Sequence, residues 1–158
     1  MKYYTFYKHL DWTFILKATD EGLSSLHLYE NDDLSKLEHN EEKMKPYVTY
    51  LDSFFKGEIT NDIPLDIKGT KFQMAVWCAL MDILPGETAS YQDIAESINN
   101  PKAVQAVGNA VGSNPVMLFI PCHRIIKKDG SIGGFSSDPK LKAYLLNYER
   151  EQDKHAHR

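Results

Sequence analysis

The sequence predicts an α+β protein built as two units, and three observations carry that prediction. Over the first 30 residues, apolar and polar positions alternate ("YYTFYKH", "WTFILKA", "LSSLHLY"), the period of strands. From Asp33 onward the apolar residues recur mainly at helical spacing, and "ITNDIPLDIKGT" interrupts them with a polar, extended stretch. That stretch places an N-terminal α+β domain at 1–64 and a C-terminal domain at 65–152, with a tail at 153–158. A chain of 158 residues with 42% hydrophobic content is long enough for two small cores.

The strand-like runs are broken at "HLD" and "DEG" and form an antiparallel meander. Residues 33–56 are predicted helical, with a break at Lys45-Pro46, since proline suits the first turn of a new helix. Its second part sets Tyr47, Leu51, Phe54 and Phe55 on one side and stops at Gly57. In the C-terminal half, Phe72, Val76, Leu80 and Ile83 share a helix face, with Thr70 as cap and Pro85-Gly86 as the end. Cys78 lies inside this helix, where a buried packing cysteine is expected. "SYQDIAESI" follows as a short helix with Ser90 as cap and Asp93 in the capping-box position. A tight Asn-Asn turn then leads to a helix over 101–113, opened by Pro101, and the pair is a helix-turn-helix candidate.

That second helix is nearly bare. Ala103, Ala106, Gly108, Ala110 and Gly112 cost helix stability through the glycines, so something must approach its backbone closely. Tight packing on a neighbouring helix explains it, and so does a nucleic-acid groove. "NPVMLFIPCHRII" reads as a buried extended segment, followed by the turn "KKDGS" and the glycine loop "IGGFSSD". A closing helix from Pro139 to about Glu151 points Leu141, Tyr144 and Leu145 inward and delivers Glu149.

The net charge of −4 is unevenly spread: residues 1–65 carry −5, whereas 101–144 carry six Lys and Arg against two Asp. A locally basic surface can bind phosphates on an acidic protein. No apolar stretch approaches a membrane span and the N-terminus lacks the layout of a signal peptide, so an intracellular, cytoplasmic protein with no membrane partner is expected. Two cysteines make no disulfide framework and no zinc spacing, so reduced thiols and no metal are expected.

Cys122 ends the apolar run "LFIP" and has His123 and Arg124 beside it. A thiolate is a strong nucleophile but needs a base, a positive charge or a helix dipole to exist at neutral pH. In an extended chain, Cys122 and His123 would point in opposite directions, so either the chain turns at Pro121 or a water relays the proton. Glu149 is the carboxylate available to orient His123.

"IPCHRI", with "GSNP" upstream and "GGFSS" downstream, together with "KGTKFQMAVWCAL", "PGETASYQDIA" and "LLNYE", resembles the methylated-DNA-protein-cysteine S-methyltransferases. These are the alkyltransferases that repair O6-alkylguanine in DNA. The likeness covers residues 66 to about 150 in order; the first 60 match only in length and pattern. It implies a ribonuclease-H-like N-terminal domain and a winged-helix-like C-terminal one. It implies that Cys122 takes the alkyl group from O6-alkylguanine, or from O4-alkylthymine, irreversibly and once per molecule. His123 would take the thiol proton through a water, Glu149 would hold the imidazole, Asn114 would brace the site loop, and Tyr91 would neutralise the leaving purine. Ser136 would present its N–H to O6, and Ile125 its backbone to the base edge. The bare helix, with Lys102, Ala103, Ala106 and Gly108, would dock in the minor groove of double-stranded DNA around a flipped base. Arg124, Phe135 and Met117 would complete the base-binding surface, Met117 and the loop 131–138 setting alkyl size. No cofactor is implied, and a monomer is expected.

The chain departs from the family pattern at Gln105, where an intercalating arginine is usual; its arginines are Arg124, Arg150 and Arg158. Glutamine lacks the charge and the stacking plane, so weaker DNA binding or slower flipping is expected with the chemistry intact. Phe135 replaces a common tyrosine. Three rivals stay open: an alkyltransferase-like protein that binds lesions without repairing them, a cysteine hydrolase, and a structural DNA-binding domain. Cys122 speaks against the first and Gln105 for it.

Overall fold

A computed structural model describes residues 1–58, 63–129 and 138–156. The chain divides into two compact units after Ile67. The divide falls three residues beyond the expected Pro64 because Leu65 bridges to Leu23 and the Thr19 hydroxyl donates to Asp66 at 2.6 Å, which ties 63–67 to the first unit.

The first unit is a four-stranded sheet in the order β3-β2-β1-β4, with β1 (Lys2–His9), β2 (Trp12–Thr19) and β3 (Gly22–Leu28) antiparallel and β4 (Glu38–His39) parallel to β1. The turn after His9 puts Leu10 at φ 54°, and Gly22 is needed because a Cβ there would meet the Pro64 backbone at 2.7 Å. The helix α1 (Glu41–Phe54) buries Met44, Tyr47 and Leu51 toward the sheet, and Tyr7 Oη donates to Asp52 at 2.8 Å. The predicted break at Lys45-Pro46 is absent: Asn40 caps the helix by accepting from Lys43 N–H at 2.9 Å, and Pro46 sits inside. In the second turn its ring deletes one hydrogen bond near an open end, which the helix tolerates. Residues 33–40 are not helical; they form a turn and the short β4.

On the sheet face away from α1, Asp32 gathers Lys17 Nζ at 2.7 Å and His27 Nε2 at 2.8 Å. Burial alone would raise its pKa, but these bonds outweigh it and bring the carboxyl to about 2. A depressed carboxylate contributes stability above its unfolded pKa and loses it as pH falls through the folded one. Asp32→Asn is therefore expected to cost roughly 2 kcal/mol at pH 7, and to flatten the loss of stability between about pH 4 and 2. Denaturant melts at pH 7 and pH 2.5 check both.

The second unit is mostly helical: α2 (Lys71–Met81), α3 (Tyr91–Ser97), α4 (Val104–Gly112) and α5 (Pro139–Ala156), with the two-residue strands β5 (Ala89–Ser90) and β6 (Ile125–Ile126) paired in parallel. Both predicted caps form: Thr70 with Gln73 opens α2, and Ser90 with Asp93 opens α3. Trp77 pins the unit together. Its ring occupies the space Gly69 leaves, where a Cβ would lie 2.6 Å away, and its Nε1 donates to Ala110 O of α4 at 2.8 Å.

Two expectations fail here. Cys78 is exposed, because α2 turns Val76, Trp77 and Leu80 inward and leaves position 78 on the outer side, facing a groove of about 540 Å³. The bare helix starts at Val104 instead of Pro101, with Asn99 at φ 60° in the turn before it. No helix among the described residues is long and apolar enough to cross a membrane.

Candidate active site

The short pairing of β5 with β6 builds the site. Ala89 lies against Ile125 and Ser90 against Ile126, so Tyr91, the next residue, arrives beside the turn that carries Cys122. The segment leading in is buried as expected but is not extended. It doubles back with Leu118 at φ 72° and a bridge between Met117 and Ile120, and Cys122–Arg124 form one turn of 3-10 helix after Pro121. Asn114 fixes the doubling-back: its Nδ2 donates to Ile120 O at 2.7 Å and its Oδ1 accepts from Val116 N–H at 3.0 Å.

The turn at Pro121 resolves the directional problem of an extended Cys-His pair, and α5 completes the cluster. Glu149 is 3% exposed, and its Oε2 lies 3.0 Å from His123 Nε2. A proton on Nε2 would face that oxygen and leave the lone pair on Nδ1. Burial holds the His123 pKa below the usual value although Glu149 pulls it up. Cys122 is 6% exposed, nearly but not wholly enclosed, with Asn114 and Lys142 as its polar neighbours. Burial pushes the thiol up, opposed by a hydrogen bond with Asn114 and the charge of Lys142. The resting group is a thiol, so its proton must move during reaction. Tyr91 is half-buried, and burial together with the neighbouring Cys122 raises its hydroxyl.

Two members of the cluster differ from expectation. Arg124, expected at the DNA surface, is buried: Nε and Nη2 donate to the two oxygens of Glu149 at 2.9 and 2.6 Å, and Nη1 to Ile83 O at 2.6 Å. Ile125 is fully buried and its N–H donates to Cys122 O, so that donor does not reach a base edge.

Lys142 was not foreseen. It is 1% exposed, and burial lowers its pKa while the Cys122 charge raises it. Its signal was the spacing: 141, 142, 145 and 149 share one face of a helix. Lys142→Met is expected to slow alkylation of Cys122 by about 10- to 100-fold, because an opposite charge nearby is worth roughly one to three pKa units to the thiolate. Stability at pH 7 should hold or rise, since a buried ammonium is removed. Stopped reactions and a thermal melt read the two effects separately.

On α4, Val107, Ala110 and Val111 face inward, and a Cβ added at Gly108 would lie 3.9 Å from the Tyr91 ring, an ordinary contact. Close packing thus explains Ala110, which is buried against Trp77, but does not require a glycine at 108. The outward side remains bare: Gln105, Ala106, Asn109 and Gly112 are exposed, Lys102 stands exposed just ahead of them, and Ala103 is partly so. Met117 is 5% exposed, and Phe135 and Ser136 lie outside the described residues. Among the described residues, no group of three or more His, Cys, Asp or Glu side chains could hold a metal ion.

The family described as "6-O-methylguanine DNA methyltransferase, DNA binding domain" matches residues 71–151, a range that includes every residue of this cluster. The chain belongs to the methylated-DNA-protein-cysteine methyltransferase family. The inducible methylated-DNA-protein-cysteine methyltransferase of Bacillus subtilis is 37% identical over 94% of this chain and 90% of its own. The family resemblance extends to three dimensions. The O6-methylguanine methyltransferase of Mycobacterium tuberculosis superposes with a TM-score of 0.87 at 34% identity, over 96% of this chain and 94% of that one. The Mycobacterium tuberculosis OGT solved in complex with DNA gives 0.86 at 34% identity, over 95% and 94%. This chain's mixed α+β fold matches those solved structures.

Proposed function

We propose that this protein repairs O6-alkylguanine in DNA by transferring the alkyl group to its own Cys122, irreversibly and once per molecule. The observation that carries this is the pair Cys122 and His123 on one buried turn, with Glu149 of α5 and Asn114 against them and Tyr91 nearby. An alkyl carbon has no carbonyl to polarise, so a nucleophile, a base and a stabilised leaving group are what the reaction requires. The thiol proton passes to His123 through a water, the sulfur displaces the purine at the alkyl carbon, and the C–O6 electron pair leaves with the base. Tyr91 hydrogen-bonds the purine edge and delivers its hydroxyl proton there as the C–O6 bond breaks, so that the base departs neutral, and the tyrosine recovers a proton from solvent. In this reading Ser136 would present its N–H to O6, Phe135 and Met117 would contact the base, and Met117 with the loop 131–138 would set alkyl size.

The target atom lies inside the duplex, so the base is flipped out at a cost of about a few kcal/mol. In this reading, α3 and α4 are a helix-turn-helix on a winged-helix-like domain, the N-terminal domain is ribonuclease-H-like, and the outward side of α4 lies in the minor groove. Its small residues admit the sugar-phosphate walls, Lys102 meets phosphate, and Gln105 fills the space the base leaves. The protein acts as a cytoplasmic monomer without a cofactor, and O4-alkylthymine is a second substrate.

The test is stoichiometric. Incubation with a duplex carrying one methylated guanine is expected to add one methyl group per protein, mapped to the peptide holding Cys122. Tight lesion binding with no mass change would instead identify a lesion binder, which Gln105 favours, and repeated turnover a hydrolase.

A further inference from the structure

A buried base that must accept a proton has to be neutral beforehand, and a carboxylate 3.0 Å from its ring works against that. Left alone, Glu149 would favour the imidazolium by roughly one to three pKa units. Arg124 stands on its other side. One guanidinium, 7% exposed, spans both Glu149 oxygens at 2.9 and 2.6 Å and reaches Ile83 O beyond the end of α2 at 2.6 Å. Glu149 Oε2 is shared between Arg124 Nη2 and His123 Nε2, so the same oxygen that orients the ring has its charge answered from behind.

We propose that Arg124 is a positioning residue for alkyl transfer: its guanidinium cancels the charge of Glu149, so the carboxylate orients His123 without protonating it. The inference rests on the reading above, in which His123 accepts the thiol proton. The charged and titratable groups around His123 are Cys122 and Arg124 from its own turn and Lys142 and Glu149 from α5. Lys142 acts on His123 in the same direction as Arg124, but an ammonium has no planar fork to span both carboxylate oxygens. A lysine at 124 could supply the charge but not both oxygens and a carbonyl at fixed angles. A purely structural clamp would hold α5 to the turn equally well but would leave the protonation of His123 unmoved.

The experiment is an NMR titration of the His123 imidazole in the intact, unreacted protein, alongside the pH profile of methyl transfer. It compares the wild type with R124M, R124K and the double variant R124M/E149Q. In R124M the His123 titration is expected to move up by about one pH unit or more, and the rising limb of the transfer profile with it. R124K should move less, and the double variant, with the carboxylate charge gone, should return to the wild-type position or below. Should R124M not fold, R124K against R124K/E149Q makes the same comparison. Slower transfer in R124M with His123 titrating where the wild type does, or a shift that persists in the double variant, overturns the proposal. A wild type that transfers no methyl contradicts the function itself, and the NMR titration still decides the role of Arg124.

Discussion

Cys122→Ser is expected to abolish methyl transfer to the protein, leaving the intact mass unchanged after incubation with methylated duplex. A serine hydroxyl is far less acidic than a thiol, whose ordinary pKa is about 8.5, and no nearby group can make up the difference. Asn114 and Lys142 oppose the burial that pushes the thiol up, but they do not reverse it. An oxyanion hole cannot compensate either, because the attacked atom is a saturated carbon. Binding of the lesion should survive, since the exposed side of α4 and the ion pair behind His123 are untouched. A methyl adduct that persists in the serine variant would show that the acceptor is elsewhere, and the exposed Cys78 would be the first place to look.

Glu149→Gln has the second largest expected effect, and it acts on rate and stability together. Losing the orienter of a general base typically costs about 10²- to 10⁴-fold where that base is essential. The variant also leaves the Arg124 guanidinium buried beside a neutral amide, and removing one partner of a buried ion pair costs about 3–5 kcal/mol. The pH dependence has a definite sign. Burial alone would raise the Glu149 carboxyl, but Arg124 and His123 bring it to about 2, so its contribution is present above the usual carboxylate range and is lost as pH falls through about 2. Wild-type protein should therefore lose stability between about pH 4 and 2 along a slope the glutamine variant lacks. Chemical denaturation at pH 7 and pH 3, with single-turnover transfer at pH 7, measures both effects.

Local chemistry was legible in the sequence where a residue acts on its own neighbours. The capping boxes at Thr70 and Ser90 need only residues three apart, and both form. The strand period of the first 30 residues survives because alternation is a property of the backbone. The link from Glu149 to His123 was inferred by elimination among carboxylates, and Glu149 Oε2 lies 3.0 Å from His123 Nε2. Misreadings came where a long-range contact outvoted a local preference. Pro46 stayed inside α1 because the cap at Asn40 and the sheet beneath had already set the helix, and Cys78 took the outer side of α2 because Trp77 claimed the inner one.

By itself, then, the sequence determined the class of the fold, the Cys122–His123 pair and the bare helix, since each depends on residue type and on periods of two or 3.6. Only the tertiary structure decided the charge balance of the site. Arg124 reads from sequence as a surface cation, and Lys142 as one more lysine on a closing helix. Their meaning comes from burial, which strips away the water that would otherwise screen them and leaves Glu149 and Cys122 as their partners.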